Sequence, residues 1–171
     1  MRQKKIILLT LLIVDLIMFS CGRRDSWYQD TKNIILQQSE LKADSTSYTF
    51  NEDSTFKREH LFLSGHKFLM KGFNHGILTL EIHYSQTGDF ELRREVCDNG
   101  VYGFEGIFYK DVAYGQSTWQ YCNGKIQEQG IRFNGKEIGQ WEKWNENGDI
   151  VEKIDHGNFE LIDSMPKIKM K

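Results

Sequence analysis

Glycine recurs along this chain in turn-like dipeptides at a spacing that few folds accommodate. Ser64-Gly65, His75-Gly76, Thr87-Gly88, Asn99-Gly100, Asn123-Gly124, Asn134-Gly135 and Asn147-Gly148 follow one another at intervals of 11, 12, 12, 24, 11 and 13 residues. Asn-Gly is the strongest short hairpin signal, because both central residues of a type I′ turn need positive φ. Two turn residues plus a strand of about nine fill each short interval, and the long one hides a further turn near Asp111 to Gly115. The predicted fold is all-β: an antiparallel meander of consecutive hairpins, open or partly rolled.

Between the turns, alternation supports strands. Leu78, Leu80, Ile82 and Tyr84 face one way, with Thr79, Glu81 and His83 facing the other. Phe90, Leu92 and Val96 alternate in the same manner with Glu91, Arg93 and Glu95. Such strands bury one face and wet the other. Parity fails over 125–133, where Ile126 is out of phase with Ile131 and Phe133, and Gly130 marks the expected bulge.

The N-terminus differs from this pattern. Arg2, Lys4 and Lys5 precede an apolar stretch from Ile6 to Phe19, shorter than the ~20 residues of a spanning helix. It ends in Met18-Phe19-Ser20-Cys21-Gly22, which resembles the lipobox of bacterial lipoprotein signal peptides. The resemblance implies cleavage before Cys21, diacylglycerol on its thiol and a membrane-anchored place in the bacterial cell envelope. Met18 stands where that pattern often has Leu, and Asp15 lies within the apolar stretch. Three divisions follow: a signal peptide over 1–20, a tether over 21–53 and a β repeat domain over 54–171. Within the tether Thr31 reads as the cap of a short, weakly docked helix running to Leu41. Tyr48 and Phe50 open a first strand.

Composition narrows the function classes. The 171 residues include 22 aromatics, too many for a disordered chain. Net charge is −2, and loss of 1–20, with three bases and one acid, leaves −4, which argues against nucleic acid as a partner. Arg23 and Arg24 are two bases and make no patch for anionic headgroups.

The hairpins also repeat. Gly115-Gln116 recurs as Gly139-Gln140, and Asn123-Gly124 as Asn147-Gly148, each 24 residues apart. The segment Gly139-Gln140-Trp141-Glu142-Lys143-Trp144-Asn145-Glu146-Asn147-Gly148 resembles the repeat of the MORN-repeat-variant family, bacterial proteins often labelled antitoxin components of the YwqK type. The preceding copy, Gly115 to Gly124, keeps the ends but carries its aromatics at Trp119 and Tyr121. The resemblance covers about residues 103–157; the N-terminal half departs from it. It implies a hairpin per repeat and an immunity or antitoxin-like role.

Catalytic signatures are absent from the sequence: there is no H-E-x-x-H, G-x-S-x-G, P-loop or C-x-x-C. Gly100, Gly103 and Gly106 lack the strand-to-helix setting of a phosphate loop. His60, His66, His75 and His83 fall near different turns, so neither metal nor other cofactor is expected. Cys97 and Cys122 precede Asn-Gly turns on strands separated by another strand. In a flat sheet that separation is about twice 4.8 Å, beyond the ~7 Å limit for a bridge. Small strand residues are the favoured reading, and a bridge requires the sheet to curl.

Trp119, Tyr121, Trp141 and Trp144 are the candidate binding residues. Trp141 and Trp144 differ by three positions, so a regular strand turns them to opposite faces. Either one is core and the other an interface residue, or both are buried through a bulge or a covering segment. The leading expectation is a non-enzymatic membrane-anchored lipoprotein whose sheet binds a protein. The alternative is a structural or carrier envelope lipoprotein holding a lipid, glycan or other apolar ligand.

Overall fold

A computed structural model describes residues 26–38 and 40–168. The leader over 1–20 and Cys21 lie outside the described residues. A helix, α1 (26–38), is followed by ten strands: β1 (Ser45–Phe50), β2 (Phe56–Leu63), β3 (His66–Asn74), β4 (Ile77–Tyr84), β5 (Phe90–Val96), β6 (Tyr102–Tyr109), β7 (Val112–Gln120), β8 (Ile126–Phe133), β9 (Lys136–Trp144) and β10 (Ile150–Asp155). A 3-10 turn, Phe159–Ser164, follows them. The strands form one open sheet in chain order, every neighbouring pair antiparallel. The expected meander is therefore the fold. Among the described residues no helix is long and apolar enough to cross a membrane.

The turns are of two kinds. Ser64-Gly65, His75-Gly76, Lys110-Asp111 and Asn134-Gly135 have positive φ at both residues, as a two-residue type I′ hairpin requires. At Asn99-Gly100, Asn123-Gly124 and Asn147-Gly148 only the glycine does. These are longer loops closed by paired bonds, such as Cys97 N–H to Val101 O and Gly100 N–H to Cys97 O, both 2.8 Å. They correct the type I′ expectation at those three sites. Asn99 Oδ1 accepts from Val101 N–H (3.1 Å) and Asn123 Oδ1 from Lys125 N–H (2.9 Å). Each asparagine closes its loop through the side chain, without a left-handed backbone.

Helix α1 is docked more firmly than the tether reading expects. Tyr28, Thr31 and Ile35, at i, i+3 and i+7, form its buried stripe. Thr31, 3% exposed, is thus an inward residue within the helix and does not cap it. Tyr28 and Ile35 pack with Phe90, Leu92 and Ile107 of the sheet. Leu41 lies beyond the helix and is exposed.

The sheet has two apolar faces. Leu92 pairs with His83, so the apolar side of β5 continues onto the polar side of β4, and α1 covers it. His83 is buried there. Leu80 and Ile82 point the other way, into the rows that hold Phe104 and Gly106. The one-face-wet expectation fails for this reason: a helix sits where β4 alone reads as solvent-facing.

Cys97 and Cys122 form a disulfide with Cα atoms 5.8 Å apart, which corrects the flat-sheet expectation. Both lie just past the ends of β5 and β7, where spacing within a paired ladder no longer applies. The register slips between Glu95 and Val96 and between Trp119 and Gln120, and such slips bend and twist strands. Between the cysteines Gly103 has no side chain; a Cβ there would lie 3.4 Å from Cys97 Sγ.

Candidate interaction surface

The repeated Gly-Gln pair is a bulge. Gly106 and Ile107 are adjacent on β6 but pair with Ser117 and Tyr114, leaving Gly115 and Gln116 as extra residues on β7. On β8, Gln129 and Ile131 pair with Glu142 and Ile138, leaving Gly139 to Trp141 opposite Gly130. Gly115 and Gly139 have φ of 71° and 64°, which glycine adopts without cost. Each bulge seats an aromatic from outside the strands: a Cβ at Gly115 would overlap the Trp27 indole, and one at Gly139 the Phe159 ring. Trp27 Nε1 also donates to Pro166 O at 3.0 Å, tying the start of α1 to the segment after the 3-10 turn.

The bulge expected at Gly130 is present in the pairing with β9, though its extra residues belong to β9; β8 adds its own extra residue elsewhere. That residue is Gln127, since Trp119 pairs with Glu128 and Gln120 with Ile126. Gly130 is instead the seat of Trp141, whose indole occupies the space a Cβ would need. Trp141 is 2% exposed, and its Nε1 donates to Ile131 O at 3.2 Å.

Around it runs a chain of rings on the face away from α1. Trp141 and Trp119 have centroids 6.1 Å apart, Trp119 and Phe104 4.9 Å, Phe104 and Phe108 6.3 Å. Arg132 lies over both indoles at 5.2 and 5.3 Å and donates to Glu137 Oε1 (3.3 Å). Arg93 lies 4.1 Å over Phe108 and is held by Glu91 (2.6 Å) and Asp111 (2.5 Å). Guanidinium over ring fixes both partners, at about 0.5–2 kcal/mol each. Phe104, Phe108, Arg93 and Arg132 were not singled out from sequence, although the Phe104, Gly106, Phe108 alternation signals that they share a face.

The four candidate binding residues separate accordingly. Trp141 is core and Trp119 is half-buried beside it. Tyr121 and Trp144 form a second group at the turn end, where Tyr121 OH donates to Trp144 O at 2.9 Å. Trp144 is half-buried and pairs with Ile150. Ile150 is 50% and Val151 61% exposed, so apolar surface continues from Trp144 onto the edge strand. Adjacent loops support this end: Asn99 Nδ2 donates to Cys122 O (2.6 Å) and Lys125 Nζ to Asn147 O (3.0 Å).

The histidines are dispersed. His60 Nε2 lies 3.3 Å from Thr49 Oγ1, His75 Nδ1 3.0 Å from Asn74 Oδ1, and His83 Nε2 3.8 Å from Glu81.

What fold and surface define together is an open single-sheet meander with repeated glycine bulges and an apolar patch at one corner. No protein family matches the chain, and no curated protein is similar to it. Among solved structures, the crystal structure of TarM overlaps 75% of this chain at 12% identity with a TM-score of 0.31. The chain spans 24% of the TarM chain, and likeness of this degree carries no argument about fold or function.

Proposed function

We propose that the chain is a non-enzymatic lipoprotein of the bacterial envelope, anchored through Cys21, whose sheet binds a protein partner. The observation that supports this reading best is the corner formed by Tyr121, Trp144, Ile150 and Val151. It sets two half-buried aromatics, joined by the Tyr121 hydroxyl on the Trp144 backbone carbonyl, beside exposed Ile150 and Val151, and aromatic residues are favoured interface anchors. The Cys97–Cys122 disulfide is consistent with an oxidising compartment outside the cytoplasm. An immunity or antitoxin-like role rests on the resemblance of the Gly139 to Gly148 repeat.

Two measurements test the reading. Cys21→Ala is expected to lose radiolabelled palmitate and to shift from the membrane to the soluble fraction; unchanged labelling and fractionation would end the lipoprotein proposal. Crosslinking in native membranes, followed by affinity capture, is expected to yield one stoichiometric protein. Recovery of the chain alone would remove the binding-module proposal.

A further inference from the structure

The sheet is open, and its two edges are unlike. β10 carries Glu152, Lys153 and Asp155, and its register slips between Ile150 and Glu152. Charge and bulges are the devices that keep an edge strand from pairing. β1 has neither. Its six residues are Ser, Thr, Ser, Tyr, Thr and Phe, and they pair with β2 in unbroken register. Every one of them is exposed, Tyr48 by 51% and Phe50 by 59%.

The unpaired backbone groups of this edge can be assigned. Asn51 N–H donates to Phe56 O at 3.1 Å across the turn between β1 and β2. Bonding direction alternates along an antiparallel strand. Ser47 and Thr49 therefore point N–H and C=O into β2, while Thr46, Tyr48 and Phe50 point theirs to the open edge. The side chains of these three share one face. On that face Lys57 Nζ sits 4.4 Å over the Tyr48 ring and orders it beside the edge.

We infer that β1 is a contact for a second copy of this chain, the two β1 strands pairing antiparallel about a two-fold axis at Tyr48. Tyr48 then faces the partner's Tyr48, and Thr46 faces the partner's Phe50, each facing pair exchanging both backbone bonds. Aromatic pairs and aromatic with β-branched pairs are favourable across strands, and no charged residue faces another within the ladder. Such a contact is isologous and closes at two copies. The charged, slipped β10 keeps the far edge of each copy from extending the pair into a filament. Asp44 and Glu52 flank β1, and two-fold pairing brings each toward its opposite number in the partner, so the contact should tighten as salt rises. The edge lies across the sheet from the Trp144 corner and does not depend on the protein-partner reading.

The test is sedimentation velocity of the full chain in density-matched detergent, with micelles in excess. A concentration-dependent equilibrium of monomer and dimer is expected. Tyr48→Lys sets two ammonium groups face to face at an exposed position and should weaken the dimer at least tenfold, with an unchanged circular dichroism spectrum. Val151→Lys, on β10, should leave the equilibrium as it is, which separates this contact from the Trp144 corner. Oxidation of Tyr48→Cys should yield a peptide joined through position 48 of both copies. A monomer at every concentration, a dimer indifferent to Tyr48→Lys, or absence of that joined peptide would overturn the inference. So would a monomeric chain whose captured protein is lost on Tyr48→Lys, since the edge would then belong to a foreign strand.

Discussion

Single residues decide how closely this sheet packs. Gly130 lies beneath Trp141, and a methyl group there must displace a buried indole. Gly130→Ala is expected to destabilise the fold by about 1–3 kcal/mol through overpacking, with a red shift of tryptophan emission; urea denaturation without change would show that the indole is not seated there. Glu105 is the other decisive residue. Its Oε1 accepts from Tyr28 OH (2.7 Å) and Lys32 Nζ (2.5 Å), and its Oε2 from Arg94 Nε (2.8 Å). Burial pushes its carboxyl up, but the bonds from Lys32 and Tyr28, the Lys32 charge and the Arg94 bond together hold it below its usual range. A depressed folded value means that ionised Glu105 stabilises the fold above the ordinary carboxylate pKa of about 4.3. That stability is lost as pH falls through the folded value. Tyr28 moves upward, through burial first and then the Glu105 charge and bond. Its contribution is present below the ordinary tyrosine pKa of about 10 and is lost only in strong alkali. Acid titration followed by fluorescence should therefore loosen α1 as pH falls below the ordinary carboxylate range, and Glu105→Gln should flatten that limb. An unchanged acid limb in the variant would assign it to other groups.

Among the elements, the loops at one end of the sheet act as a unit. The disulfide crosses β6 to join the loops after β5 and β7, at a sequence separation of 25. Closing a loop of this size contributes about 2–4 kcal/mol by restricting the unfolded chain. The double replacement Cys97→Ser, Cys122→Ser should cost that amount in urea denaturation, and reductant should affect the unaltered chain alike while leaving the variant unmoved. Equal midpoints for the two chains would mean that the loops hold their places through Asn99 and Lys125 without the bridge. The hairpins themselves are legible in sequence, since turn chemistry and alternation are local. Pairing across a strand depends on coil accumulated through register slips, which no short window records; the Cys97–Cys122 bridge is the less favoured reading of the sequence for that reason. The same holds for Thr31, whose place inside α1 is set by the sheet beneath it.

For the whole molecule, the two tryptophans of the last full repeat carry different duties. Trp141→Ala is expected to cost about 3–5 kcal/mol of stability, as loss of a buried aromatic does. Trp144→Ala should keep the fold, read by circular dichroism, while weakening capture of a protein partner by about 2 kcal/mol or more. Unfolding by both substitutions would make Trp144 core and move the interface elsewhere. The sheet's edges bear on the same question. Both β1 and β10 are exposed along their length, and charge guards β10 through Lys143–Glu152 (2.7 Å) and Lys153–Glu142 (2.5 Å). A charged edge disfavours strand-on-strand association at β10, whereas β1 carries no charged residue and leaves Tyr48 and Phe50 exposed.

By itself the sequence determined the fold class, most of the strands and the positions of the turns, because glycine dipeptides and period-two alternation act over a few residues. It also marked the Trp141 and Trp144 repeat, though not which indole is core. The tertiary structure decided what local pattern leaves open: which face of β4 is covered, that Cys97 reaches Cys122, and that Gly115 and Gly139 each receive an aromatic from outside the sheet. These outcomes depend on contacts between residues far apart in the chain. Such contacts form only when the coil of ten strands brings their side chains within a few ångströms.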